Sequence, residues 1–187
     1  MGLERLMIAH EYYPDEASLL LHTWTLSCRH DLPPPFSIQQ IATTDGLDNH
    51  REDVNYQLRE LLEGLQENRC AYPPLEELVG LFERVGSLSL SARASSAYHV
   101  LFSELYVAMG QLDPALIQLS RSFQKFPNPE VIIRQAILAA SAGNYADSLV
   151  FLGRAREAEL EQQFFKQSNS VEIDRLENEF RRLLEAQ

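Results

Sequence analysis

Positive charge is scarce in this sequence. Sixteen lysines and arginines stand against 27 aspartates and glutamates, for a formal net charge of −11. A surface that negative repels phosphate backbones, which argues against nucleic acid and anionic lipid as partners. Arg181 and Arg182 are the only adjacent basic pair that stands out. Long apolar runs are also missing, since no stretch approaches the roughly 20 residues a bilayer span needs. The N-terminus carries no apolar core of signal-peptide length. The 8 glycines are scattered singly, so no glycine-rich phosphate loop or G-x-S-x-G elbow occurs. The 2 cysteines, Cys28 and Cys70, belong to no C-x-x-C pair and have no spaced histidine partner, which excludes a zinc site of the usual kind. They read as two buried thiols acting as small apolar groups, with a disulfide as the alternative in an oxidising compartment.

What is present is helical pattern in abundance. Hydrophobic residues make up 45% of 187 positions, enough for one domain with a substantial core. Two stretches align without gaps: residues 110–122, GQLDPALIQLSRS, and residues 143–155, GNYADSLVFLGRA. Their glycines, Gly110 and Gly143, lie 33 positions apart and follow apolar helical runs, where a left-handed residue ends a helix. Small Ala115 and Ser148 permit close helix approach, Leu119 and Leu152 follow on the same face, and Ser122 and Ala155 complete it. Asp113-Pro114 and Asn128-Pro129 each pair a capping residue with a proline, which predicts two helix starts. Residues 96–129 and 129–160 therefore read as two successive helical hairpins.

Elsewhere the pattern is less regular. Residues 2–29 read as the second helix of one unit, closed by Pro14, and the first helix of another, with Leu19, Leu20, Leu21, Trp24 and Leu26. Residues 37–86 form a diverged helical region: a short helix at 37–43, a helix at 51–68 with Val54, Leu58, Leu61, Leu62 and Leu65, and a third from Pro73-Pro74 to Gly86, these last two forming a diverged hairpin or a distinct insertion. Residues 169–186 form a terminal helix, Asn169 its cap, with Val171, Leu176, Phe180, Leu183 and Leu184 along a stripe that covers the last repeat.

No constellation for chemistry emerges. His22 and His99 have no acidic or histidine partner one turn away and read as half-buried packing residues. Asp45, Asp48, His50, Glu52 and Asp53 lack the alternating ligands and glycine of a calcium loop. They read as a solvated loop entering an acidic helix start. The sequence thus implies no catalytic residue, metal or cofactor.

The 33-residue pattern around Gly110 and Gly143, together with residues 2–29, resembles the tetratricopeptide family, over about half the chain. Leu112 stands where that family expects a larger turn residue, and Ser148 where it expects alanine. The resemblance implies an all-α superhelix of stacked antiparallel hairpins in a single domain over 1–187, with a diverged central hairpin and a C-terminal capping helix. It further implies a non-catalytic scaffold whose first helices line a concave groove for a protein or peptide. Template position puts Val100, Glu104, Val107, Ile133, Ile137 and Ser141 on that groove. The oligomeric state is left open.

A second segment, Tyr56 to Pro74, runs through Leu-Leu-x-Gly-Leu to Cys70-x-x-Pro-Pro before the repeat pair. It is similar to the C-terminal extramembrane tail of bacterial multi-span O-antigen polymerases, O-antigen ligases and protein-glycosylation ligases. That resemblance, with a start half-way through a repeat, implies a periplasmic accessory piece of a larger membrane protein. Glycosyl transfer would then reside outside this chain. Without it, a cytoplasmic scaffold is implied.

Overall fold

The computed structural model describes residues 2–12, 16–30, 32–34, 37–44, 51–66, 75–87, 90–161 and 169–186. Pro14, Cys70, Pro73-Pro74 and most of the acidic cluster beginning at Asp45 lie outside these residues, and the side chains of His10, Asp53, Val54 and Leu65 are likewise not described. Among the described residues the chain is all-helical. It divides into two compact units, Met1–Leu101 and Phe102–Gln187.

The first unit contains α1 (Gly2–Tyr12), α2 (Ala17–Arg29), α3 (Ile38–Thr43), α4 (Arg51–Gln66), α5 (Leu75–Gly86) and the first turns of α6 (Ala92–Ala108). Its central element is α2, which packs against α1, α3 and α4. That position explains why α2 is buried around much of its circumference, at Leu20, Leu21, Thr23, Trp24, Thr25, Ser27 and Cys28. Two of its hydroxyls are satisfied locally: Thr23 Oγ1 donates to the Leu19 carbonyl at 2.8 Å and Thr25 Oγ1 to that of Leu21 at 2.9 Å. His22 is exposed on α2, so the half-buried packing role read from its apolar neighbours does not hold. One helical position sufficed to turn it away from the core that surrounds Leu21 and Thr23.

The short α3 is held at its start by a reciprocal capping box. Ser37 Oγ accepts from the Gln40 N–H at 3.2 Å, and Gln40 Oε1 accepts from the Ser37 N–H at 2.7 Å. Helix α4 buries Leu58, Leu61 and Leu62 and packs on α2, where Arg29 also pairs with Glu60. Helix α5 buries Leu78, Leu81, Phe82 and Val85 and packs on α3. Tyr98 of α6 ties onto α5: its hydroxyl donates to the Phe82 carbonyl at 2.5 Å.

The second unit contains the rest of α6, then α7 (Leu112–Lys125), α8 (Pro129–Ser141), α9 (Tyr145–Glu161) and α10 (Ser170–Glu185). Helix α8 packs against both α7 and α9, and α10 packs on α9. The core gathers Ile132, Ile133 and Ala136 of α8, Leu152, Ala155 and Ala158 of α9, and Ile173, Leu176 and Phe180 of α10.

The 33-residue spacing reappears as geometry. Gly110 and Gly143 have φ of 71° and 77°, the left-handed region. After α6, the Gly110 N–H donates to the Val107 carbonyl at 2.9 Å and the Gln111 N–H to Tyr106 at 2.8 Å. After α8, the Gly143 N–H donates to Ala140 at 2.9 Å and the Asn144 N–H to Ala139 at 2.9 Å. Both are Schellman closures, one repeat apart. Ala115, Leu119 and Ser122 are buried on α7, as are Ser148, Leu152 and Ala155 on α9. The same three positions therefore face inward in both repeats, as their spacing predicts.

Two cap readings differ in outcome. Asn128 Oδ1 accepts from the Glu130 N–H at 3.0 Å, with Pro129 at the first helical position. Asp113 is no cap. Helix α7 starts at Leu112, two residues earlier than Asp113-Pro114 suggests, with Gln111 as the flanking residue. Pro114 is tolerated there because the first four N–H groups of a helix have no intrahelical acceptor.

The terminal helix corrects the predicted stripe. Val171 is 79% exposed, whereas Ile173, absent from that stripe, is fully buried beside Leu176 and Phe180. Leu183 and Leu184 are each 40% exposed. Asn169 offers no side-chain cap; instead its backbone N–H donates to the Glu159 carboxylate of α9.

Candidate partner-binding face

The residues that template position assigns to a groove have different fates. Ile133 is only 4% exposed and belongs to the core between α8, α9 and α10. It is a packing residue, and a ligand on the surface of α8 cannot reach it. Val100 is half-buried and falls in the first unit. The other four share the second unit and are at least partly accessible. On α6, Val107 is 45% exposed and Glu104 half-buried. On α8, Ile137 is 43% exposed and Ser141 is exposed, its hydroxyl donating to the Leu138 carbonyl at 2.7 Å.

What joins the two helices on this face is a residue that the template reading missed. Arg134 Nη1 lies 2.8 Å from Glu104 Oε1. Arg134 stands one turn before Ile137 on α8, and Ile137 is the 33-residue counterpart of Glu104. The result is a face with a mutually neutralised ion pair, exposed Val107 and Ile137, and small Ala108 and Ser141 near the ends of their helices. Such a surface supplies apolar contact, one carboxylate and one guanidinium. It carries no nucleophile–base pair.

Behind this face a polar link anchors α8 to α7. Buried Gln135 donates through Nε2 to Ser120 Oγ of α7 at 2.8 Å, and Ser120 Oγ donates to the Leu116 carbonyl at 3.0 Å. On the far side, Arg156 of α9 reaches Asp174 at 2.7 Å and Glu177 at 3.2 Å on α10. The hydrogen bonds that Arg156 donates to those two carboxylates raise its pKa above the ordinary value. The scaffold under the face is thus fixed from both flanks.

Other polar features are less organised. A shallow depression on α10 is lined by Arg175, Asn178, Glu179, Arg182 and Leu183, and Arg175 pairs with Glu179 at 3.1 Å. His99 is half-buried with its ring edge-on to Tyr98, the centroids 4.9 Å apart. Among the described residues no three His, Cys, Asp or Glu side chains converge to hold a metal ion, and no helix is long and apolar enough to cross a membrane.

The cysteine reading is corrected at one end. Cys28, 3% exposed on α2, is disulfide-bonded and is not a free thiol. Burial alone suits either form, so its apolar setting could not reveal the bond. Cys70 lies outside the described residues. No family model matches the chain, and neither a curated protein nor a solved structure matches it.

Proposed function

We propose that the chain is a non-catalytic scaffold of tetratricopeptide-like helical repeats that receives a protein or peptide partner on the α6–α8 face. The observation that carries this reading is the pair of Schellman closures at Gly110 and Gly143, each followed by the same three inward positions. Stacked hairpins of this kind present their first helices side by side as an extended binding surface. The partner segment contributes an apolar side chain between Val107 and Ile137 and a polar group to the Glu104–Arg134 pair.

Site-specific photo-crosslinking tests it. A crosslinker at Val107 or Ile137 is expected to capture a partner, whereas one at Ile117 or Val150, exposed on α7 and α9, is not. Equal capture from all four positions, or capture only from α7 and α9, removes the assignment.

The bonded state of Cys28 favours a second, compatible reading. In it the scaffold is the periplasmic accessory domain of a multi-span O-antigen polymerase- or ligase-type protein, positioning the membrane part or contacting its glycan acceptor. The gene upstream of residue 1 decides this, for a reading frame without hydrophobic spans ends the idea.

A further inference from the structure

Cys28 sits next to the end of α2, at the point where α2 meets α4. The neighbouring Arg29 pairs with Glu60 of α4, which fixes that junction. The sequence holds 2 cysteines, Cys28 is disulfide-bonded, and among the described residues no cysteine is free. Cys70 follows Gln66, the last residue of α4, by four positions, a reach of roughly 14 Å for an extended chain. Since α2 and α4 pack together, that reach is compatible with an intrachain bond.

We infer that Cys28 and Cys70 form one intramolecular disulfide that ties the chain after α4 to the end of α2, making the first unit dependent on an oxidising compartment. The bond closes a loop of about forty residues that contains α3 and α4, so it restricts the unfolded chain most where the first unit is assembled. Its formation takes two protons and two electrons from the two thiols. One thiolate attacks a small-molecule or protein disulfide, giving a mixed disulfide and releasing one thiol. The other thiolate then displaces the second thiol and closes the bond. The inference is independent of the α6–α8 face, which lies in the second unit.

The chain carries its own reporter. Trp24, its single tryptophan, is buried on α2 one helical turn before Cys28, so tryptophan emission follows the first unit. The full chain is equilibrated in a glutathione buffer of the poise found in oxidising compartments, then denatured and alkylated with N-ethylmaleimide. A monomer without adducts is expected, taking two adducts after reduction, together with a linked Cys28–Cys70 peptide on digestion. Two adducts before reduction, or a covalent dimer, overturns the inference. The second measurement is the melting midpoint of Trp24 emission. Reduction is expected to lower it by about 10 °C or more, and the Cys70→Ser chain to melt at the reduced midpoint with or without reductant. An unchanged midpoint on reduction, or a Cys70→Ser chain as stable as the oxidised one, overturns the dependence of the first unit on the bond.

Discussion

Arg134 and Glu104 meet at 2.8 Å across α6 and α8, thirty residues apart in sequence and with 53% and 34% of their side chains exposed. A pair that accessible is screened by water and salt, so its coupling is modest. A double-mutant cycle with Glu104→Gln and Arg134→Gln is expected to give about 0.3–1 kcal/mol in urea unfolding at low salt. The coupling should shrink toward zero in 1 M salt, where the Debye length is only about 3 Å. A coupling undiminished by salt would mean that the pair is shielded from solvent.

Gly110 and Gly143 have open space on the side where a Cβ would stand, with nothing within 4 Å, so alanine there suffers from backbone conformation alone. Each Gly→Ala change is expected to cost about 1–2 kcal/mol, and asparagine less, because it tolerates the left-handed region better. Thermal melts of the four single variants check both the size and the order.

Gly86 answers to a different cause. A Cβ on it would stand 2.6 Å from Tyr98 Oη, the hydroxyl held by the Phe82 carbonyl. Gly86→Ala must therefore displace Tyr98 or break that hydrogen bond, at a cost of about 1–3 kcal/mol. In a Tyr98→Phe background the same change should cost clearly less, since the nearest clashing atom is gone. Trp24 emission during urea unfolding reads the cycle, and strict additivity would place the strain elsewhere.

Ile173 and Val171 lie two residues apart on α10 and should respond oppositely to truncation. Ile173→Ala empties a fully buried position beside Leu176 and Phe180 and is expected to cost about 2–4 kcal/mol. Val171→Ala, at a residue 79% exposed, should stay within about 0.5 kcal/mol. Similar effects from both would mean that α10 does not cap α9 by this face.

The helices and the 33-residue repeat were legible in the chain because their causes are local. Caps, left-handed glycines and the inward trio of small, large and small residues act within a turn or two of chain. Gly110, Gly143 and Asn128 therefore stand where their local chemistry puts them. The short helix expected over 37–43 also has a local cause, the capping box of Ser37 and Gln40 that the structure shows.

Packing between distant segments settled which apolar positions are covered and which polar ones meet. Ile133 and Ile137 lie one turn apart on the same helix, yet α9 and α10 complete the core around the first and leave the second accessible. Ile173, by contrast, lies three residues before Leu176 and seven before Phe180, so helical spacing alone already sets it apart from Val171. The Glu104–Arg134 pair and the bond at Cys28 join residues through packing. Helical periodicity limits the faces a residue can present, but burial is set by neighbours distant in sequence, and that is where the candidate face was made.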